Sequence, residues 1–319
     1  NYCRILQKLW NHEMKNILIT GSSGFVGTAL VEQLQGKQAY SKIYTLSRRF
    51  DRRLSDQIHQ IIADRSEQFF ETPIPKNIDV IIHLAGRAHI LNEQIESPLD
   101  AFRQVNVEGS IQLAKQALEN KVKRFIFISS IGVNGISNTQ AFTVDDKPNP
   151  AEDYAISKFE AETGLKASLL GSATEFVIIR PPLVYGLNAK GNFGHLFKLA
   201  QKRLPLPLGA INNKRSLVSL DNLVDLISTC LTHPNAANQT FMVSDDHDVS
   251  TTELVRLVAQ ASGKGAILLP IPVGCLKFFA ACLGRKNMAT KLCDSLQVDI
   301  QHTRRKLGWT PPLTLEQGI

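Results

Sequence analysis

The sequence predicts an α/β protein built on a doubly wound parallel sheet, with a smaller, partly interleaved C-terminal region. Three observations predict it. Apolar runs of strand length alternate with helix-spaced segments, at about 25 to 40 residues per unit. The first run leads directly into a glycine-rich turn and then a helix-like segment. Gly21, Ser47, Asp64, Ala85, Ser130 and Pro181 stand at or just past the carboxyl ends of six successive runs, where sheets of this kind bind ligands.

The elements follow in order. Asn16–Thr20 is an apolar run suited to a buried parallel strand. Gly21, Gly24 and Gly27 follow it and precede the helical run Thr28–Gln35. In that order Gly21 permits the tight turn, Gly24 lets a pyrophosphate approach the backbone, and Gly27 lets the helix pack on the strand. The helix N-terminus offers N–H groups and a positive dipole end to phosphates, so the stretch predicts dinucleotide binding. Lys42–Leu46 is a second strand, followed by the basic loop Arg48–Arg53; Ile58–Ala63 is a third and Asp79–Leu84 a fourth. Pro98–Asn120 has helical spacing, Arg124–Ser129 is a fifth strand, Ala151–Leu170 a helix and Glu175–Arg180 a sixth strand. Beyond Pro181 the pattern loosens, and Gln239–Val243 reads as one further strand. The expected organisation is residues 1–13 as an extension outside the fold, 14–185 as a dinucleotide-binding domain, and 186–319 as a mostly substrate-binding region that returns to the sheet near 239–245.

Bulk properties exclude several classes. The net charge is +7, but the cations are scattered in short groups without interleaved aromatics, so nucleic acid is not expected and an anionic small molecule is. Five separated cysteines with no CxxC pair read as reduced thiols in a cytoplasmic protein, not as a disulfide frame or zinc site. The apolar stretch Ala266–Gly284 is broken by Pro270, Pro272, Gly274 and Lys277, which argues against a membrane span. His83 lies within an apolar run and reads as a buried strand histidine; Asp145 and Asp146 read as loop carboxylates, and Trp309 and Pro311 as packing.

A second constellation carries chemistry. Tyr154 and Lys158 are spaced i and i+4 in DYAISKFEAE, on one face of a helix. An ammonium beside a phenol favours the phenolate, so this tyrosine is expected to exchange protons near neutral pH. Ser129 and Ser130 close the fifth strand, about 24 residues earlier, and can offer a hydroxyl to the same substrate oxygen. With the dinucleotide turn, these residues predict hydride transfer at a carbinol carbon.

These motifs resemble those of the extended short-chain dehydrogenase/reductases, and among them the nucleotide-sugar group that includes UDP-glucose and UDP-N-acetylglucosamine 4-epimerases. TGSSGFVG is similar to the family's TGxxGxxG fingerprint, HLAGRAH to its loop after the fourth strand, NVEGS to its helix asparagine, and RPPLVYG to the segment along the nicotinamide. The resemblance implies a Rossmann-type sheet and a catalytic set of Ser130, Tyr154 and Lys158. It implies NAD or NADP contacts from Gly21, Ser23, Gly24, Phe25, Val26, Gly27, Ser47, Arg48, Asp64, Leu84, Ala85, Gly86, Asn106, Tyr154, Lys158, Pro181 and Val184. It also implies substrate contacts from His89, Ser130, Asn192, Phe193 and Arg215, with Arg215 on the diphosphate, and a homodimer paired through the helices Pro98–Asn120 and Ala151–Leu170.

Two departures matter. NAD-preferring relatives hold the ribose hydroxyls with an acidic residue where this chain has Ser47-Arg48-Arg49, a set that suits a 2′-phosphate and favours NADP. The Asp-Glu pair of family dehydratases is replaced by Ile131 and Gly132, so dehydration is not expected. The reading is a 4-epimerase of nucleotide sugars. Its alternatives are an NADPH-dependent 4-keto nucleotide-sugar reductase using the same residues, and a non-catalytic dinucleotide sensor, against which the intact Ser130, Tyr154 and Lys158 argue.

Overall fold

The computed structural model describes residues 15–35, 40–63, 66–88, 97–187, 189, 194, 205–263 and 265–319. Its centre is a seven-stranded parallel sheet. The strands are β1 (Lys15–Thr20), β2 (Tyr40–Ser47), β3 (Ile58–Ile62), β4 (Val80–His83), β5 (Arg124–Ile128), β6 (Glu175–Arg180) and β9 (Gln239–Met242). Their order is β3-β2-β1-β4-β5-β6-β9, so the winding reverses between β1 and β4 and a crevice opens at their carboxyl ends.

Alternation along the strands assigns side chains to the two faces. Ile17, Ile19, Val80, Ile82, Ile126, Val177 and Ile179 pack with Leu30, Val31 and Leu34 of α1 (Phe25–Gln35). The intervening Leu18, Ile81, Phe125, Phe127, Phe176 and Ile178 pack on the opposite face against Leu113 and Ala117, and against Leu165 and Leu169. The helical run expected at Pro98–Asn120 is not one regular helix. It is α2 (Pro98–Phe102), a π-helical segment Arg103–Glu108 and α3 (Gly109–Glu119). The wider turn carries Asn106, a placement common for π-helical segments at functional sites. The next helix is α4 (Asp153–Leu169). A Cβ at Gly164 would lie 2.7 Å from Ile111 Cδ1, so α3 and α4 run in close contact.

After β6 the chain forms a second, three-stranded sheet from β7 (Leu183–Tyr185), β8 (Arg215–Ser219) and β10 (Asp248–Val249). These strands are too short to show a period in the sequence. α5 (Leu220–Thr232), capped by the Ser219 hydroxyl, buries Leu223, Leu226, Ile227 and Leu231 in the same core as α1. Residues Leu220–Thr232 and Gln239–Met242 therefore both belong to the layers of the large sheet. A third core joins Tyr185, Leu206, Leu217, Val255, Val258 and Leu315, drawn from β7, the segment before β8, β8 itself, α6 (Thr251–Ala261) and the last described helix. α7 (Val273–Cys282), α8 (Lys286–Cys293), α9 (Gln301–Leu307) and the short α10 (Leu315–Gly318) complete the C-terminal region. No described helix is long and apolar enough to cross a membrane.

Candidate active site

The turn between β1 and α1 is built by close approach. Gly21 has φ +73, and a Cβ on it would lie 2.6 Å from the Ala85 nitrogen, so the turn and the loop after β4 can meet only through glycine. A Cβ on Gly27 would overlap the Gly21 carbonyl oxygen. Ser23 and Gly24 are exposed at the helix N-terminus, and Phe25 and Val26 are half-buried behind them. Leu84, Ala85 and Gly86 continue from β4 on the other side of the crevice.

A buried relay fixes that loop. Ser110 Oγ donates to the Asn106 carbonyl oxygen at 2.5 Å, so its acceptor side faces His83 Nε2 at 2.9 Å, which therefore carries the proton. His83 Nδ1 then accepts from Thr20 Oγ1 at 2.7 Å, and Thr20 Oγ1 accepts from the Ala85 N–H at 3.2 Å. His83 is fully buried, and burial, helped by the Lys158 charge, pushes its pKa down to about 3; it is a neutral structural link, as the apolar run predicts.

Asn106 works through the same loop. Its Oδ1 accepts from the Arg87 N–H at 2.7 Å, and its Nδ2 donates to the Arg87 carbonyl at 3.0 Å and to Ser157 Oγ at 2.9 Å. Both amide protons are committed to protein, so Asn106 holds the loop after β4 in place. A Cβ on Gly86 would lie 3.1 Å from Asn106 Oδ1 and 3.5 Å from Lys158 Nζ, so the loop, the π-helical segment and α4 converge there.

Lys158 is buried at the mouth of β5, where Nζ donates to the Ile128 carbonyl at 2.8 Å and sits 4.3 Å above the Phe127 ring. Burial lowers its pKa to about 8, against a smaller raising effect of Glu162. Tyr154 lies one turn earlier, edge-on to Phe102 with ring centroids 6.1 Å apart. Burial pushes its phenol up to about 12. Burial is the cause of this shift in the chain without ligands, whereas the Tyr154/Lys158 spacing leads to the expectation of a lowered pKa. Ser130 is half-exposed just past β5, and its Oγ accepts from the Gly132 N–H at 3.1 Å, which caps the turn Ile131–Val133.

The anchor of α4 lies in residues that motif reading passes over. Arg180, at the end of β6, makes a paired contact with Glu162, Nε to Oε1 at 2.9 Å and Nη2 to Oε2 at 2.5 Å, and its Nη1 donates to Asn134 Oδ1 at 2.9 Å. Both charged side chains are almost fully buried. Glu162 stands four residues after Lys158 on α4, so this pair ties the Tyr154/Lys158 helix to β6 and to the loop carrying Ser130. A carboxylate one turn beyond the YxxxK pair, and an arginine closing an apolar strand, are the signals available in the sequence.

At the end of β2, Ser47 Oγ donates to the Arg49 carbonyl at 2.8 Å, while Arg48 and Arg49 are exposed. The nearby carboxylate, Asp51, is bound by Arg53 through both oxygens, and those hydrogen bonds hold its pKa down at about 2. A cavity of about 630 Å³ runs from Ser23 to Ser47, Arg48, Arg49, Phe50, Asp51 and Ala63. It joins the glycine turn to the exposed Arg48 and Arg49.

Pro181 is buried, its carbonyl accepting from the Ile131 N–H at 2.9 Å, and Val184 is half-buried in β7. Arg215 Nη1 donates to the carbonyls of Lys291 at 2.7 Å and Asp294 at 3.2 Å, so part of this guanidinium holds the end of α8. Next to it is an open cavity of about 770 Å³, lined by Asn138, Asn213, Val273, Cys293, Asp294 and Ser295 among others. Asp64, His89, Asn192 and Phe193 lie outside the described residues. No group of histidine, cysteine or carboxylates that could hold a metal ion occurs among the described residues.

Comparison with known proteins places this geometry. The profile of the NAD dependent epimerase/dehydratase family matches residues 17–244. A UDP-glucose 4-epimerase of Vibrio cholerae is 47% identical over 308 residues, covering 96% of this chain and 93% of that protein. An N-acetyl-alpha-D-glucosaminyl-diphospho-ditrans,octacis-undecaprenol 4-epimerase of Escherichia coli O157:H7 is 28% identical, covering 95% and 93%. In fold, the chain is similar to the crystal structure of a UDP-glucuronic acid 4-epimerase from Bacillus cereus in complex with NAD, with a TM-score of 0.75, 19% identity and 95% of each chain covered.

Proposed function

Since the chain belongs to the NAD dependent epimerase/dehydratase family, we propose that it is a 4-epimerase of nucleotide sugars of the UDP-glucose and UDP-N-acetylglucosamine type. The observation that carries this reading is the convergence of Lys158, Gly86 and Asn106 at the strand ends beside Tyr154 and Ser130, in a chain 47% identical to a UDP-glucose 4-epimerase. The glycine turn, the loop Leu84–Gly86 and the Arg48 cavity would hold the dinucleotide, which supplies the hydride acceptor and donor for carbon 4. Tyr154 takes the proton of the 4-hydroxyl and returns it. Ser130 shares that hydrogen bond, which requires its Oγ to keep a proton for the sugar oxygen while it accepts from Gly132. Lys158 supplies positive charge to the phenolate and binds ribose hydroxyls. Arg215, with the substrate-loop residues Asn192 and Phe193 and with His89, holds the nucleotide end while the sugar turns. The division at about residue 185 then separates a cofactor half from a substrate half, with the second half contributing α5 and β9 to the sheet. Denaturing the freshly purified protein and identifying the nucleotide released tests retention of the cofactor; protein free of any dinucleotide, and active only with a cofactor supplied each turn, would contradict it.

The Ser47-Arg48-Arg49 set supports NADP(H) over NAD(H). NADP(H) is expected to bind more tightly in titration, and Arg48→Ala to narrow the gap; a clear preference of the parent protein for NAD(H) would contradict this. The same cations are the observation favouring the second reading, a reductase of 4-keto nucleotide sugars that exchanges cofactor with an NADPH pool.

Lys158 adds a pH dependence. Its folded pKa of about 8 lies below the ordinary 10.5, so the folded chain binds fewer protons than the unfolded chain between those values. The buried charge costs stability below about pH 8, and that cost falls as pH rises through the window. Activity has the opposite sign, since the ammonium is the useful form. kcat/KM for UDP-glucose is expected to fall as pH rises through about 8, and a profile flat to pH 10 would contradict the role given to Lys158.

We assign assembly to α3 and α4, which lie side by side on one face of the sheet and can pair with their copies about a two-fold axis. Light scattering is expected to give a dimer at micromolar concentration, and monomer alone would contradict it. The cysteine usage and this substrate class support a cytoplasmic location.

A further inference from the structure

α7, with sequence VGCLKFFAAC, is apolar except for Lys277, which pairs with Asp294, yet none of its residues is buried. A helix of that composition belongs in an interior or against an apolar partner. One stripe, Val273 and Leu276, leans on the C-terminal core. The other, Cys275, Phe278, Phe279, Cys282 and Leu283, has the i, i+3, i+4, i+7, i+8 spacing of a buried helical face and points to solvent, with Phe278 65%, Phe279 63% and Leu283 74% exposed. Ile267, Leu269 and Met288 widen the same region, at 51%, 43% and 54% exposure. A cluster of this kind marks a docking surface.

Charge selects the occupant. From Ala266 to Cys293 the chain carries Lys277, Arg285, Lys286 and Lys291 and no aspartate or glutamate; Lys277 is paired with Asp294 and Lys291 with Glu152, which leaves Arg285 and Lys286 to set the charge of the patch. Arg285 and Lys286 are exposed just past the end of the aromatic stripe. A second copy on a two-fold axis would set this cationic patch against itself, which like charges oppose. An anionic bilayer surface matches both features, taking phenylalanine and leucine at the acyl boundary and the cations among headgroup phosphates.

We propose that α7 is an interfacial helix that seats this protein on an anionic lipid bilayer, lying in the headgroup plane without crossing it. α7 begins at Val273, which lines the 770 Å³ cavity, and Cys293 and Asp294 at the end of α8 line it too. Docking therefore brings the rim of that cavity beside the membrane surface. The proposal is independent of which sugar is epimerised, because its test reads binding and not turnover.

The test is co-sedimentation of the full chain with vesicles of phosphatidylethanolamine and phosphatidylglycerol, and with vesicles of phosphatidylcholine alone. The parent protein is expected to pellet with the anionic vesicles and to remain largely in the supernatant with phosphatidylcholine. Phe278→Ser/Phe279→Ser should reduce the bound fraction by about tenfold or more, and Arg285→Glu/Lys286→Glu should weaken binding and its salt dependence. Circular dichroism and epimerase activity of both variants should match the parent, since these side chains are exposed and none is assigned to the candidate active site. A parent protein that stays in the supernatant with every vesicle overturns the proposal, as does pelleting that both variants retain. A vesicle-free dimer that Phe278→Ser/Phe279→Ser converts to monomer overturns it as well, and assigns the face to a second copy.

Discussion

Tyr154→Phe is expected to fold, to keep its cofactor and to lose turnover by about a hundredfold or more, the scale of removing a positioned acid/base. The substitution removes one oxygen and leaves the ring that packs edge-on to Phe102. The helix is held elsewhere, by Lys158 on the Ile128 carbonyl and by Glu162 on Arg180, so the loss should appear in kcat with KM little changed. Ser130→Ala should be milder, because Ser130 shares the hydrogen bond without carrying the proton. Steady-state rates near the parent value in Tyr154→Phe would contradict the role given to the phenol.

The second large effect is on stability. Arg180→Met leaves the Glu162 carboxylate buried without its cation and Asn134 Oδ1 without its donor. Removing one partner of a buried ion pair costs about 3 to 5 kcal/mol, mostly the penalty of the charge left behind. The comparison is Arg103→Ala. Arg103 pairs with Glu160 on the outer side of the same helix, but its side chain is 42% exposed and Glu160's is 32%. Water screens that pair, so its loss should cost far less. Urea unfolding of the two variants at equal pH checks the difference. An Arg180→Met midpoint shift no larger than that of Arg103→Ala would remove Arg180 from its place as the anchor of α4.

What the sequence reveals of this protein follows the range of the forces involved. β6 has the bounds its apolar run predicts, and β1 to β5 differ by one or two residues at their ends, because strands buried on both faces must be continuously apolar. The glycine turn is legible for a similar reason, since Gly21 and Gly27 stand where a Cβ would collide with backbone. β7, β8 and β10 are only two to five residues long and carry no period to read. The Glu162–Arg180 pair joins residues 18 apart through two different elements, so only the folded chain brings it together. Tyr154 shows the limit most clearly. Spacing places it beside an ammonium and predicts a lowered pKa, but burial, which spacing does not encode, moves the phenol the other way. The stretch Ala266–Gly284 reads in the sequence only as a broken apolar run, and it is the structure that shows a helix there with a stripe that nothing among the described residues covers.

The central claim is that hydride leaves and returns to the same sugar, so that the cofactor is regenerated within each cycle. The most direct measurement incubates the enzyme, as purified and without added cofactor, with UDP-glucose and with UDP-N-acetylglucosamine, and follows the 4-epimers by NMR. Many turnovers per enzyme on at least one of the two sugars are the predicted result. No conversion of either, with NADPH oxidised one-for-one on a 4-keto-6-deoxy nucleotide sugar, would contradict the epimerase and assign the same residues to a reductase.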